Sequence, residues 1–130
     1  MRLLLDTHIW VWLLLDPGRL HGRVATAIRD PANELWLSSI SVWEVTMFAR
    51  KKIDLLPSPV IWAEQALAKS NVLEVPVTNA IALETGRLIW SHRDPADRMI
   101  VATARVMGLT LVTADKPIIA AKIVDVLANL

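Results

Sequence analysis

Short apolar runs recur along this chain with helix-length segments between them, and that alternation leaves few folds open. Leu3 to Leu5, Glu34 to Leu37, Val72 to Val75, Leu109 to Val112 and Ile123 to Val126 each have the length of a strand. The intervening segments are Thr7 to Leu15, Leu20 to Arg29, Ser41 to Lys52, Pro59 to Ser70, Asn79 to Ser91 and Ala96 to Met107. Asp16-Pro17-Gly18 breaks the first two apart, and Gly108 closes the last as a helix C-cap. Strands alternating with helices predict a parallel sheet covered on both faces. The expectation is therefore an α/β fold: one domain over residues 1–130, an α/β/α sandwich with a central, mostly parallel sheet of about five strands. No repeat, low-complexity tract or linker divides it.

Four carboxylates occupy the junctions of this pattern. Asp6 ends the Arg2-Leu3-Leu4-Leu5 run, and Asp115 follows Leu111-Val112-Thr113-Ala114. Glu44 lies one turn into an apolar helix-like stretch, and Asp97 opens another after His92-Arg93-Asp94-Pro95. Ligands in open α/β sheets sit beyond the carboxyl ends of the strands, so one sheet edge can collect all four. Each Asp taken singly has a plain use: Asp6 and Asp115 as helix caps, and Asp94 as an N-cap with Pro95 at N1 and Asp97 at N3. Glu44 differs, because Ile40-Ser41-Val42-Trp43 and Val45 surround it with apolar bulk where a carboxylate is costly without a partner. A cluster of acids with few cations nearby repels itself unless a hard divalent cation neutralises it.

Composition removes several alternatives. With no cysteine, disulfides, thiolate zinc sites and cysteine nucleophiles are excluded. Ile9-Trp10-Val11-Trp12-Leu13-Leu14-Leu15 is too short to span a bilayer, and Asp6 and His8 interrupt any signal-peptide reading. The chain reads as cytoplasmic. Its net charge of +1 is a slight basic balance for a nucleic-acid enzyme. Local cations matter more: Arg50-Lys51-Lys52 at a helix end, and His92-Arg93 with Arg98 around Asp97. A hydrophobic share of 54% points to an unusually apolar core or to surface covered by a partner. The six tryptophans are scattered along the chain, which does not indicate a base-stacking platform.

Leu3-Leu4-Leu5-Asp6-Thr7-His8 and Ser38-Ser39-Ile40-Ser41-Val42-Trp43-Glu44 resemble motifs of the PIN-domain family. Asp94-Pro95-Ala96-Asp97-Arg98-Met99-Ile100-Val101-Ala102-Thr103-Ala104 and Leu111-Val112-Thr113-Ala114-Asp115 extend the match over almost the whole chain, in order. Within the family the chain is similar to VapC-type toxins of bacterial toxin–antitoxin pairs. The resemblance implies Asp6, Glu44, Asp97 and Asp115 as catalytic, metal-binding acids, with Thr7, Thr113 and Asp94 in support. It implies Mg2+ or Mn2+ and hydrolysis of RNA phosphodiester bonds by a metal-activated water. It also implies a homodimer and a small cognate antitoxin. Arg93, Arg98 and Lys116 are the expected phosphate contacts, and Trp10, Trp12, Leu13 and Leu14 the expected partner surface. Two other readings compete. A phosphatase or receiver-like domain would use Asp6 as nucleophile or phospho-acceptor, but the phosphatase pattern wants an Asp where His8 stands. A non-catalytic RNA- or partner-binding module would not need all four acids, and metal-dependent cleavage separates it from an enzyme.

Overall fold

Leu3, Leu4 and Leu5 are wholly buried, and they form the centre of the fold. In the computed structural model, which describes residues 1–48 and 54–130, they belong to strand β1 (Arg2–Leu5). Helices α1 (Thr7–Leu15) and α2 (Gly22–Arg29) follow, separated by a 3-10 turn at Pro17–Arg19. Next come β2 (Glu34–Ser38), α3 (Ser39–Thr46), α4 (Pro59–Lys69), β3 (Val72–Val75) and α5 (Asn79–Arg87). The chain ends with α6 (Pro95–Met107), β4 (Thr110–Thr113), α7 (Lys116–Ala121) and β5 (Val126–Ala128). The five strands are parallel throughout, in the order β3-β2-β1-β4-β5.

Side chains of a strand alternate between its two faces, and the core divides accordingly. Leu3 and Leu5 pack with Ile9, Trp10, Val24 and Trp62 under α1, α2 and α4. Leu4 packs with Ile81, Ile100 and Ile118 under α5, α6 and α7. Burying each such side chain contributes about 1.5–3 kcal/mol, which is why the apolar runs become the strands. The sandwich expected from the sequence is the one observed.

Strand order fixes where a site can form. The chain steps outward from β1 through β2 to β3, then returns by way of α5 and α6 to place β4 on the other side of β1. The direction of winding therefore reverses between β1 and β4, and a crevice opens beyond their carboxyl ends. Leu5 pairs with Val112, and the Asp6 N–H donates to the Val112 carbonyl at 2.9 Å, so the ends of the two strands are level.

Helix α7 was not among the expected segments, and the larger boundary differences concern β5, α5 and α3. The last strand is Val126–Ala128 rather than Ile123 to Val126, because Val126, Leu127 and Ala128 take the register opposite Leu111, Val112 and Thr113. Ile123 and Val124 instead pack against the second core. Helix α5 stops at Arg87 rather than Ser91, where the carbonyls of Thr85 and Leu88 turn to the Arg98 guanidinium. Helix α3 covers Ser39–Thr46, and the Arg50-Lys51-Lys52 helix end lies outside the described residues.

Candidate functional site

Asp6 is the residue on which β1 becomes α1. It caps the helix, its Oδ1 accepting from the Thr7 N–H at 2.8 Å, while its Oδ2 accepts from the Thr113 hydroxyl at 2.6 Å. Only 5% of it is exposed. Burial pushes the carboxyl up from its ordinary value, hydrogen bonds from Thr113 and Thr7 and the charge of His8 pull it down, and Asp115 raises it again.

Glu44 is buried on α3, as its apolar neighbours suggested. Its Oε1 accepts from the Thr7 hydroxyl at 2.6 Å. Ser41 Oγ lies 2.8 Å from the same Thr7 oxygen. Thr7 has one hydroxyl proton and gives it to the carboxylate, so Ser41 donates to Thr7. Thr7 thus joins α1 to α3 through a short run of hydroxyls ending on Glu44.

Asp97 stands in the first turn of α6 behind its N-cap Asp94, whose Oδ1 accepts from the Asp97 N–H at 3.2 Å. The Asp97 Oδ2 is 2.7 Å from His92 Nε2. Burial drives this carboxyl up to about 6; the hydrogen bond from His92 opposes the rise, and the charges of Asp6, Asp94 and Asp115 add to it. Asp115 caps α7, its Oδ1 accepting from the Ile118 N–H at 3.1 Å, and its own N–H donates to Thr113 Oγ1 at 3.0 Å. The switch-point crevice therefore gathers Asp6, Asp97 and Asp115 within electrostatic reach, with Glu44 tied to the same cluster through Thr7. As the side chains stand, no three His, Cys, Asp or Glu among the described residues close tightly around a single metal-sized point.

The other expected residues divide. Thr7 and Thr113 both donate to the acids. Arg93 and Lys116 are exposed at the starts of α6 and α7. Arg98 is occupied elsewhere: its guanidinium donates to the carbonyls of Trp90, His92, Thr85 and Leu88 at 2.6–3.1 Å. Trp10 is not surface at all; it is fully buried, meets Trp62 edge-on at 5.6 Å and donates to Ser70 Oγ at 3.1 Å. Helix α1 is apolar all round, so nothing in its sequence distinguished the core face from the other. Trp12, Leu13 and Leu14 are partly buried on the rim of that core.

Two polar residues at the site were not expected there. Ser41 lies three residues before Glu44, a helical spacing that puts both on one face. His92, noted only as a nearby cation, reaches back to Asp97 across the α6 N-cap, a path set by loop conformation that residue spacing does not encode.

The PIN domain profile matches residues 3–123. Ribonuclease VapC22 of Mycobacterium tuberculosis (strain ATCC 25618 / H37Rv) is 38% identical over 114 residues, spanning 87% of this chain and 86% of the relative. Among solved structures, DNA-bound VapBC from Salmonella typhimurium superposes with a TM-score of 0.70 at 20% identity, covering 100% of this chain and 99% of that one. VapBC2 from Rickettsia felis, bound to a promoter DNA fragment, gives 0.70 at 17% identity and covers 98% of each chain. At such identities these structures speak to the fold.

Proposed function

The chain belongs to the PIN domain family, and from that premise we propose that it is a VapC-like ribonuclease toxin, an endoribonuclease restrained by a small antitoxin. The observation that carries the reading is the mutually repelling set of Asp6, Asp97 and Asp115 at the switch point, the first buried and the other two half-buried, with the carboxyls of Asp6 and Asp97 pushed upward. Such a set is what a hard divalent cation relieves. The donors are all oxygen: the carboxylates of Asp6, Glu44, Asp97 and Asp115, backed by Thr7 and Thr113. They suit magnesium or manganese, and the open spacing suits an ion that keeps several of its waters. Bound there, such an ion supplies a water of lowered pKa and a positive charge facing the phosphate oxygens.

The chain's own residues do the placing. Thr113 and the Thr7 N–H fix both oxygens of Asp6, and Thr7 orients Glu44. Exposed Arg93 and Lys116 suit phosphate contacts on either side of the acids. Two further parts of the reading concern partners. The structural relatives are named as VapBC pairs, which supports an antitoxin for this chain, and its exposed apolar side chains support a homodimer. We place its action in the cytoplasm; among the described residues no helix is long and apolar enough to cross a membrane.

The test is cleavage of RNA by purified protein. Asp6→Asn, checked for retained fold by circular dichroism, is expected to lose at least about a hundredfold in kcat, since even partners outside a ligand shell are worth 10–100-fold. Exhaustive chelation is expected to stop the wild-type reaction, and manganese or magnesium to restore it. Near-wild-type cleavage by folded Asp6→Asn protein, or cleavage surviving chelation, would sink this mechanism.

A further inference from the structure

Resting on the ribonuclease reading, we propose that His92 is a positioning residue for Asp97, and that Arg98 in turn holds His92 in place. Asp97 shares its crevice with Asp6 and Asp115, whose charges push against its own. An aspartate in that position lowers its energy by rotating toward solvent. His92 opposes this: its Nε2 stands 2.7 Å from Oδ2, so the N–H of that nitrogen holds one carboxylate oxygen and fixes the rotation of the group.

The imidazole is itself held. It stacks on the Trp90 ring with centroids 4.6 Å apart and planes 24° from parallel. The loop carrying both rings is clamped from below by Arg98, which donates to the carbonyls of Trp90 at 2.6 Å and His92 at 3.1 Å. Its other terminal nitrogen donates to Leu88 at 2.9 Å and Thr85 at 3.1 Å. Only the planar fork of an arginine has enough donors to reach all four. Arg98 follows Asp97 directly on α6, and its N–H donates to the Asp94 carbonyl at 3.1 Å. The helix turn that carries the acid therefore carries the clamp that aims the histidine at it. The circuit closes over a sequence separation of 13, from Thr85 to Arg98.

Two variants separate a donor from a filler. His92→Phe keeps an aromatic ring on Trp90 and removes the N–H. His92→Gln removes the ring and keeps a donor close to the Nε2 position. Manganese affinity by calorimetry and steady-state kinetics on RNA are the readouts. His92→Phe is expected to weaken manganese binding and lower kcat, each by about 10–100-fold, with KM for RNA within about twofold of wild type. His92→Gln is expected to recover most of both losses. Wild-type affinity and kcat in His92→Phe, or failure of His92→Gln to exceed His92→Phe, overturns the proposal. Wild-type protein that neither binds manganese nor cuts RNA takes down the ribonuclease reading instead. The contact is then still decided in metal-free protein by NMR: a downfield imidazole N–H of His92 that moves in Asp97→Ala supports it, and one indifferent to that change overturns it.

Discussion

Thr113 ties together the two acids that the strand order brings side by side, donating to Asp6 and accepting from the Asp115 N–H. Residues of this kind explain how Asp6 is held in the interior: among the described residues every buried polar side-chain atom has a hydrogen-bond partner. Hydrogen bonds do not remove the charge, however, and Asp97 shows the consequence. Its carboxyl sits at about 6 in the fold against 3.8 ordinarily, raised by burial first and by its acidic neighbours. Between those values the folded chain holds a proton that the unfolded chain has released. Stability therefore falls as pH rises through the window, and Asp97 opposes folding at neutral pH by about 1–2 kcal/mol once solvent screening of this half-buried group is allowed for. In chelator, Asp97→Asn is expected to be more stable than wild type at pH 8 by about that amount, with the gain vanishing near pH 4. Paired thermal melts across this range check it, and a gain that does not shrink on acidification rejects the assignment. The strand-end places of Asp6 and Asp115 were legible in the sequence because each follows an apolar run, and the burial of Glu44 because apolar residues surround it. Trp10 was not, since a helix without a polar face does not say which side is core.

At the scale of elements, α6 and α7 end alike and are spelled differently. Gly108 caps α6 at φ 64, ψ 39, and Lys122 caps α7 at φ 53, ψ 35, both in the left-handed region. Glycine enters that region without a Cβ clash, whereas lysine is strained there by about 1 kcal/mol. A Cβ on Gly108 would meet nothing within 4 Å, so a substitution there costs backbone strain alone. Gly108→Ala is expected to destabilise by about 1 kcal/mol and Lys122→Gly to stabilise by about 0.5–1 kcal/mol. Urea titrations measure both, and shifts of the same sign would refute the common cap. The glycine made the end of α6 readable in the sequence, and the lysine hid the end of α7. For α5 the stop signal is Arg98, distant in sequence and drawing carbonyls out of the helix, so local pattern alone extended the helix by four residues, from Arg87 to Ser91. Strands β1 and β4 were legible for a firmer reason: a parallel strand buried on both faces must be apolar along its length.

Over the whole molecule, alternation specified the layers but not the order β3-β2-β1-β4-β5, because the side on which α5 and α6 return depends on packing between segments far apart. That order makes β3 an edge strand, and exposed apolar side chains occur on it and on α3 and α4. Leu73 on β3 is 45% exposed, Trp43 on α3 55%, and Val60, Ile61 and Leu67 line the outer side of α4. An unpaired edge flanked by apolar side chains is a surface that proteins ordinarily cover. The high hydrophobic share is thus divided between two cores and this face, and an isolated chain has only a second copy of itself to cover it. Sedimentation equilibrium of the purified chain is expected to give the mass of two copies. Leu73→Lys should weaken that association by about tenfold or more, since a buried unpaired charge at a packed contact costs at least 1.4 kcal/mol. Asp6→Asn should leave it unchanged, because the carboxylate crevice opens beyond the carboxyl ends of β1 and β4, in the interior of the sheet rather than at its β3 edge. A strictly monomeric wild type at high concentration would leave this face to the antitoxin alone, and Leu73→Lys would then weaken antitoxin binding in place of self-association.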